Sequence, residues 1–160
     1  MTKGKICLII KKWLDAHRWR YDFAVERSLF KMGVALKCTI PSVRVFVDVR
    51  ESFYLVYAIL PITCYRCLNK MERFLSMANF GLINGNFEVD VRDGEIRYKT
   101  YVNLRGMSSL STQIVEDSIM CACLTVRKYA DSIARICLSS ESEAVDVDVE
   151  IKRCEPAQGL

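Results

Sequence analysis

The chain has 160 residues, of which 51% are hydrophobic and 26% charged; that length suggests one domain or one domain with a tail, and that composition excludes disorder over most of it. Net charge is +4 but uneven: residues 1–50 carry 11 Lys/Arg against 4 Asp/Glu, residues 51–140 carry 10 against 9, and residues 141–160 carry 2 against 6. No apolar run approaches the ~20 residues that cross a bilayer, and the opening MTKGKICLIIKKWL is interrupted by Lys11 and Lys12 with no cleavage site after it, so a cytoplasmic chain without signal peptide or membrane insertion is expected.

Residues 4–17 predict a helix, with Ile6, Ile9, Ile10, Trp13, Leu14 and His17 at helical spacing and Lys11, Lys12 and Asp15 opposite. The single histidine closes this stripe and reads as a packed or capping group. Strand patterns follow at Tyr21–Val25 and Leu29–Lys37, the second alternating Phe30, Met32, Val34 and Leu36 with wetter positions. Val43–Val49 puts four valines on one face. Arg50-Glu51-Ser52 turns it into Phe53–Leu60, which is apolar on both faces and so predicts a central or doubly covered strand.

Pro61 is expected to end the sheet. Thr63 then reads as the N-cap of a helix from about Cys64 to Asn79, with Ile62 and Cys67 as its hydrophobic staple and Gly81 as its stop. In NGNFEVDVRDGEIRYKTYVNL, Asp93-Gly94 predicts a two-residue hairpin turn placing Arg92 opposite Glu95, Val91 opposite Ile96, Val89 opposite Tyr98 and Phe87 opposite Thr100. Ser111 caps a final helix, stapled by Leu110 and Val115 and reaching about Leu138. SSESEA reads as a linker, and VDVDVEI as an acidic edge strand or a mobile tail. The order α-β-β-β-β-α-β-β-α means an α+β fold, an antiparallel sheet with helices packed on it. The domain is expected over residues 1–139, with an acidic tail over 140–160.

The chemistry-bearing residues are sparse. The seven glycines form no phosphate loop, and one histidine without a marked nucleophile forms no catalytic triad. The carboxylates Glu88, Asp90, Asp93 and Glu95 read as the outward residues of a solvated hairpin. Eight cysteines at 7, 38, 64, 67, 121, 123, 137 and 154 read as reduced thiols, because a core of this size needs no staples. Cys64 and Cys67 share one helical face, but Cys121 and Cys123 are separated by about 200° on theirs, leaving at most a mixed metal site with one of them and Cys137. No metal and no cofactor is expected. A sharper expectation is redox chemistry at Cys64 and Cys67, since a thiol in a helix's first turn is softened by the amide dipoles. Against it, both cysteines lie in phase with the apolar stripe Leu68, Met71, Phe74, Leu75 and Ala78.

The segment FLSMANFGLINGNFEVDVRDGEIRYKT carries a family pattern: Asn79-Phe80-Gly81-Leu82, then Gly85-Asn86-Phe87-Glu88, then Asp93-Gly94-Glu95-Ile96-Arg97-Tyr98. It resembles the YbjN-like family, proposed bacterial sensory-transduction regulators. VRVFVDVRESFYLVYAILP upstream and Arg127-Lys128-Tyr129 in the last helix extend the likeness over about residues 4–138. The resemblance implies a fold similar to type III secretion chaperones, which bind protein segments and are often dimers. It supplies no catalytic residue, and its cysteines at 64, 67, 121 and 123 lie outside the pattern. Asn79, Gly81, Gly85, Asn86, Phe87, Asp93 and Gly94 are the matched motif, read as structural. The leading expectation is therefore a non-enzymatic cytoplasmic protein-binding module, regulatory or chaperone-like, with Phe53, Tyr54, Tyr57, Tyr98 and Tyr101 as candidate surface and a homodimer as one arrangement. The alternatives are a thiol redox protein or sensor at Cys64/Cys67 and a nucleic-acid or anionic-surface binder through the basic N-terminal half.

Overall fold

The computed structural model describes residues 1–139 and 145–155. Four helices, α1 (Lys3–Ala16), α2 (Leu68–Gly81), α3 (Thr112–Leu138) and α4 (Val147–Cys154), pack on a sheet of β1 (Asp22–Ala24), β2 (Leu29–Ala35), β3 (Ser42–Val49), β4 (Phe53–Thr63), β5 (Asn86–Val89) and β6 (Glu95–Asn103). Every neighbouring pair is antiparallel and the strand order is β1-β2-β3-β4-β6-β5. The α+β fold read from the sequence is the fold found.

Period-two alternation divides the sheet into two faces. Val43, Val45, Val47 and Val49 of β3, Tyr54, Val56, Ala58 and Leu60 of β4, and Ile96, Tyr98 and Thr100 of β6 are buried beneath the helices. Burying each large apolar side chain contributes about 1.5–3 kcal/mol, so this inner layer dominates the fold's stability. The long α3 crosses β4 and β6, α1 rests on β3 and α3, and α2 on β5 and α3. Ser111 caps α3 as expected, accepting from the Ile114 amide, and Thr2 caps α1 through the Lys5 amide. His17 is the C-cap of α1; its Nδ1 meets the Trp13 carbonyl at 2.8 Å and its ring lies against the Trp13 indole.

Three expectations need correction. Pro61 does not end the sheet: β4 continues to Thr63, past a register irregularity between Ile59 and Thr63 that absorbs proline's missing N–H. Thr63 therefore caps nothing. A 3-10 turn at Tyr65–Cys67 follows, and α2 begins only at Leu68, without a side-chain cap.

The hairpin register is shifted by two. Phe87 faces Tyr98, Glu88 faces Arg97 and Val89 faces Ile96. The turn is wider than two residues because Asp90 and Asp93 act inside it. Asp90 accepts from the Arg92 amide and Asp93 from the Glu95 amide, while the Gly94 N–H donates to the Asp90 carbonyl. A shift of two preserves the faces, so the same residues stay buried.

VDVDVEI is neither edge strand nor extended tail over its described part: Asp146 caps α4, accepting from the Asp148 and Val149 amides. Val147 and Ile151 recur at i, i+4, a spacing that fits both periods, and Glu150 and Cys154 complete the buried stripe. This helix packs against α2 and α3. Glu150, nearly fully buried, accepts from Ser132 Oγ at 2.7 Å, Arg135 Nε at 2.9 Å and Arg153 at 3.0 Å. Its neighbour Glu155 accepts from the Tyr129 hydroxyl. The expected linker falls, from residue 140 to 144, outside the described residues.

The strand expected to be central or doubly covered, β4, is central. Its outer residues Phe53, Leu55, Tyr57 and Ile59 are half-buried, and among the described residues no helix lies over them.

A candidate protein-binding face

The uncovered face of the sheet is built by strand register. Lys31, Phe46, Tyr57, Lys99 and Asn86 form one row across β2, β3, β4, β6 and β5. Leu29, Asp48, Leu55 and Tyr101 form the next; Gly33, Arg44, Ile59, Arg97 and Glu88 form the row on the other side. Phe53 stands against Tyr101, ring centroids 5.2 Å apart. The centre is thus aromatic and aliphatic, and the periphery is charged.

The charges are unequal. Asp48 is engaged by Arg50 at 2.6 Å, and Glu88 is shared by Arg97 at 2.8 Å and Lys99. Both cations lower the Glu88 carboxyl below its usual range, against the opposing effect of burial. Arg97 also lies over the Tyr57 ring, 5.1 Å from its centroid. Lys31 and Arg44 make no ion pair among the described residues; Asp22 stands opposite Lys31 across β1 and β2, whereas Arg44 is flanked by Gly33 and Ile59.

Of the five aromatics expected at a surface, the structure brings three together. Phe53, Tyr57 and Tyr101 share this face. Tyr54 and Tyr98 are fully buried beneath the helices, because they occupy the opposite phase of the same strands. Tyr54 Oη bonds Ser118 Oγ at 2.9 Å, and burial pushes its phenol up to about 12. Tyr98 donates to the Asn84 carbonyl. Phe46, Leu55, Ile59, Lys31 and Arg44 were missed as members of the face; their signal was the outward phase of β2, β3 and β4. Phe80, in the last turn of α2, and Ile83, between α2 and β5, were also missed and stand almost fully exposed.

The dithiol is repositioned too. Cys64 does not sit in a helix's first turn. It is fully buried, its N–H donates to the Gly94 carbonyl at 2.9 Å, and its Sγ faces the same oxygen. Burial foremost, and the adjacent Cys67, push its thiol up to about 11, the reverse of the expected softening. Cys67 is half-buried.

The motif residues make local contacts. Asn79, on the last turn of α2, donates through Nδ2 to the Phe87 carbonyl and accepts the Phe87 amide through Oδ1 at 2.7 Å, clamping helix to strand. Phe87 is buried, its ring meeting Tyr98 and Tyr129 edge-on. Asn86 donates to the Phe87 carbonyl, and Gly81 ends α2 beside the Glu155 carboxylate. Gly85 has φ +70° and leaves no room for a Cβ against Tyr98 Oη and the Lys99 carbonyl.

No protein-family model and no curated protein matches the chain. Solved structures do match. YbjN from E. coli, a proposed transcription regulator, aligns with a TM-score of 0.58 at 10% identity, over 78% of this chain and 90% of that one. The HopA1-SchA chaperone-effector complex gives a TM-score of 0.58 at 9% identity, over 81% and 95%. The ExsC-ExsE complex gives 0.53 at 10% identity, over 88% and 100%. The likeness to YbjN and to type III secretion chaperones is thus one of fold, and at such identity it shows the fold alone.

Proposed function

We propose that the chain is a non-catalytic protein-binding module, regulatory or chaperone-like and working in the cytoplasm, whose open sheet face receives a polypeptide segment with acidic residues flanking apolar ones. The observation that carries this reading is the face itself. Phe46, Phe53, Leu55, Tyr57, Ile59 and Tyr101 form one uncovered apolar layer in a domain whose other sheet face is fully packed. A contiguous exposed apolar patch marks an interaction site, and half-exposed aromatics are the residues that anchor one. Arg44, which faces no carboxylate across the strands, favours an acidic occupant by complementarity. Support of a second kind comes from the fold neighbours, one of them solved with an effector bound to its chaperone.

The test uses synthetic peptides in which acidic residues alternate with Leu and Phe, measured by fluorescence anisotropy. Binding that weakens with salt, falls at least tenfold in the Tyr57→Ser/Tyr101→Ser variant, and survives Lys128→Glu on α3 supports the reading. Equal binding by all three proteins removes the face from it. Occupation of the face by single-stranded nucleic acid instead, or by a second copy of the chain, replaces the proposed partner class.

A further inference from the structure

The sequence sets Cys64 beside Cys67, but the fold brings Cys67 and Cys137 to one depression. Cys64 lies in the core with its thiol directed at the Gly94 carbonyl. Cys67 ends the 3-10 turn before α2, and Cys137 occupies the last turn of α3. Both are half-buried free thiols, and both line one open depression together with Tyr65, Leu68 and Leu138. The 3-10 turn that ends in Cys67 packs against α3, and burial together with Cys67 raises the Cys137 thiol. A disulfide requires two cysteines whose side chains face each other at short range; solvent access at the depression supplies the route for an oxidant.

We infer that the depression between the start of α2 and the end of α3 is an oxidation site, at which hydrogen peroxide joins Cys67 to Cys137. The Cys67 sulfur attacks one peroxide oxygen. The O–O bond breaks, the departing hydroxide takes the Cys67 proton to leave as water, and Cys67 becomes a sulfenic acid. Cys137 Sγ then attacks Cys67 Sγ, the S–O bond breaks, and the Cys137 proton leaves with the hydroxyl as a second water. Two thiols and one peroxide thus give one disulfide and two waters. The bond would tie the turn before α2 to the end of α3. This inference does not depend on the open sheet face.

The experiment treats the full chain with hydrogen peroxide, blocks remaining thiols with N-ethylmaleimide, and maps peptides without reduction. The expected result is a Cys67–Cys137 linked peptide, a fall from eight free thiols to six, and recovery of all eight with dithiothreitol. Cys67→Ser and Cys137→Ser should each abolish the link, whereas Cys38→Ser should leave it. Should either of the first two variants fail to fold, the linked peptide of the unsubstituted chain decides alone. A Cys64–Cys67 peptide, an intermolecular link, or eight retained thiols with only over-oxidised sulfur elsewhere would overturn the inference.

Discussion

Gly94→Ala should destabilise the domain by about 3 kcal/mol, and the sum is worked from two contacts. Gly94 has φ +76°, where an L-residue costs roughly 1–2 kcal/mol. An alanine Cβ there would stand 2.5 Å from the Tyr65 backbone nitrogen and 3.0 Å from that of Cys64. Backbone cannot rotate away as a flexible side chain can. Relief requires the hairpin turn to part from residues 64–65, which strains the bond from the Cys64 N–H to the Gly94 carbonyl. Leaving that buried pair unsatisfied adds roughly 1–3 kcal/mol. Gly106 supplies the control: its φ is +75°, yet nothing lies within 4 Å of its added Cβ. Gly106→Ala should therefore show only the conformational cost, about 1–2 kcal/mol. Urea unfolding followed by the fluorescence of Trp13 and Trp19 gives both values, provided the slopes agree. Gly94→Asn tolerates positive φ but keeps the Cβ, so it should remain worse than Gly106→Ala. If Gly94→Ala and Gly106→Ala cost the same within about 0.5 kcal/mol, the close approach of the hairpin to Cys64 is not what holds this corner together.

Other outcomes follow from the same structure. Ser111→Ala should cost about 1 kcal/mol by loss of the α3 cap, while Thr63→Ala, at a strand end, should cost well under half that; parallel denaturation curves check both. Glu150 is held below the usual glutamate range because Arg135 and Ser132 bond it, against desolvation. Its contribution to α4 docking is present above the unfolded glutamate value of about 4.3 and is lost as pH falls through the lower folded value, so amide exchange over residues 147–154 should accelerate at acid pH before the sheet opens; Glu150→Gln should remove that dependence. With its thiol near 11, Cys64 should resist iodoacetamide in the native protein at pH 8 and react after unfolding; prompt native alkylation of Cys64 would contradict its burial. Tyr57→Ser should change stability by less than about 1 kcal/mol, whereas Phe74→Ala, fully buried in α2, should cost about 3–5 kcal/mol.

The elements were legible where one periodicity spoke alone. The period of 3.6 in α1 and α3, and of two in β2 and β3, gave their type and nearly their ends. Reading failed where local chemistry competed. Pro61 looks like a sheet terminus, but β4 carries it at an irregular position. Asp93-Gly94 looks like a tight turn, but Asp90 draws the loop wider by capturing the Arg92 amide. Val147 and Ile151 obey both periods, and only Asp146 as a cap decides for a helix. The candidate face was half legible for a related reason: aromatic content says which residues could bind a partner, and strand phase says which are free to. Tyr54 and Tyr57 differ by three positions and so lie on opposite faces. The meeting of Cys67 and Cys137 at one depression was beyond reach of spacing, because it depends on where the end of α3 passes the start of α2.

The central claim, that the open sheet face holds a polypeptide, is tested most directly by site-specific crosslinking. A photoreactive benzoylphenylalanine at Tyr57 samples the face, and one at Leu124, exposed on α3, samples the helical side. Irradiation with an acidic-apolar peptide should give adducts from position 57 and none from position 124, with competition by unlabelled peptide. Adducts from position 124 alone, or equal yields from both, would contradict the claim.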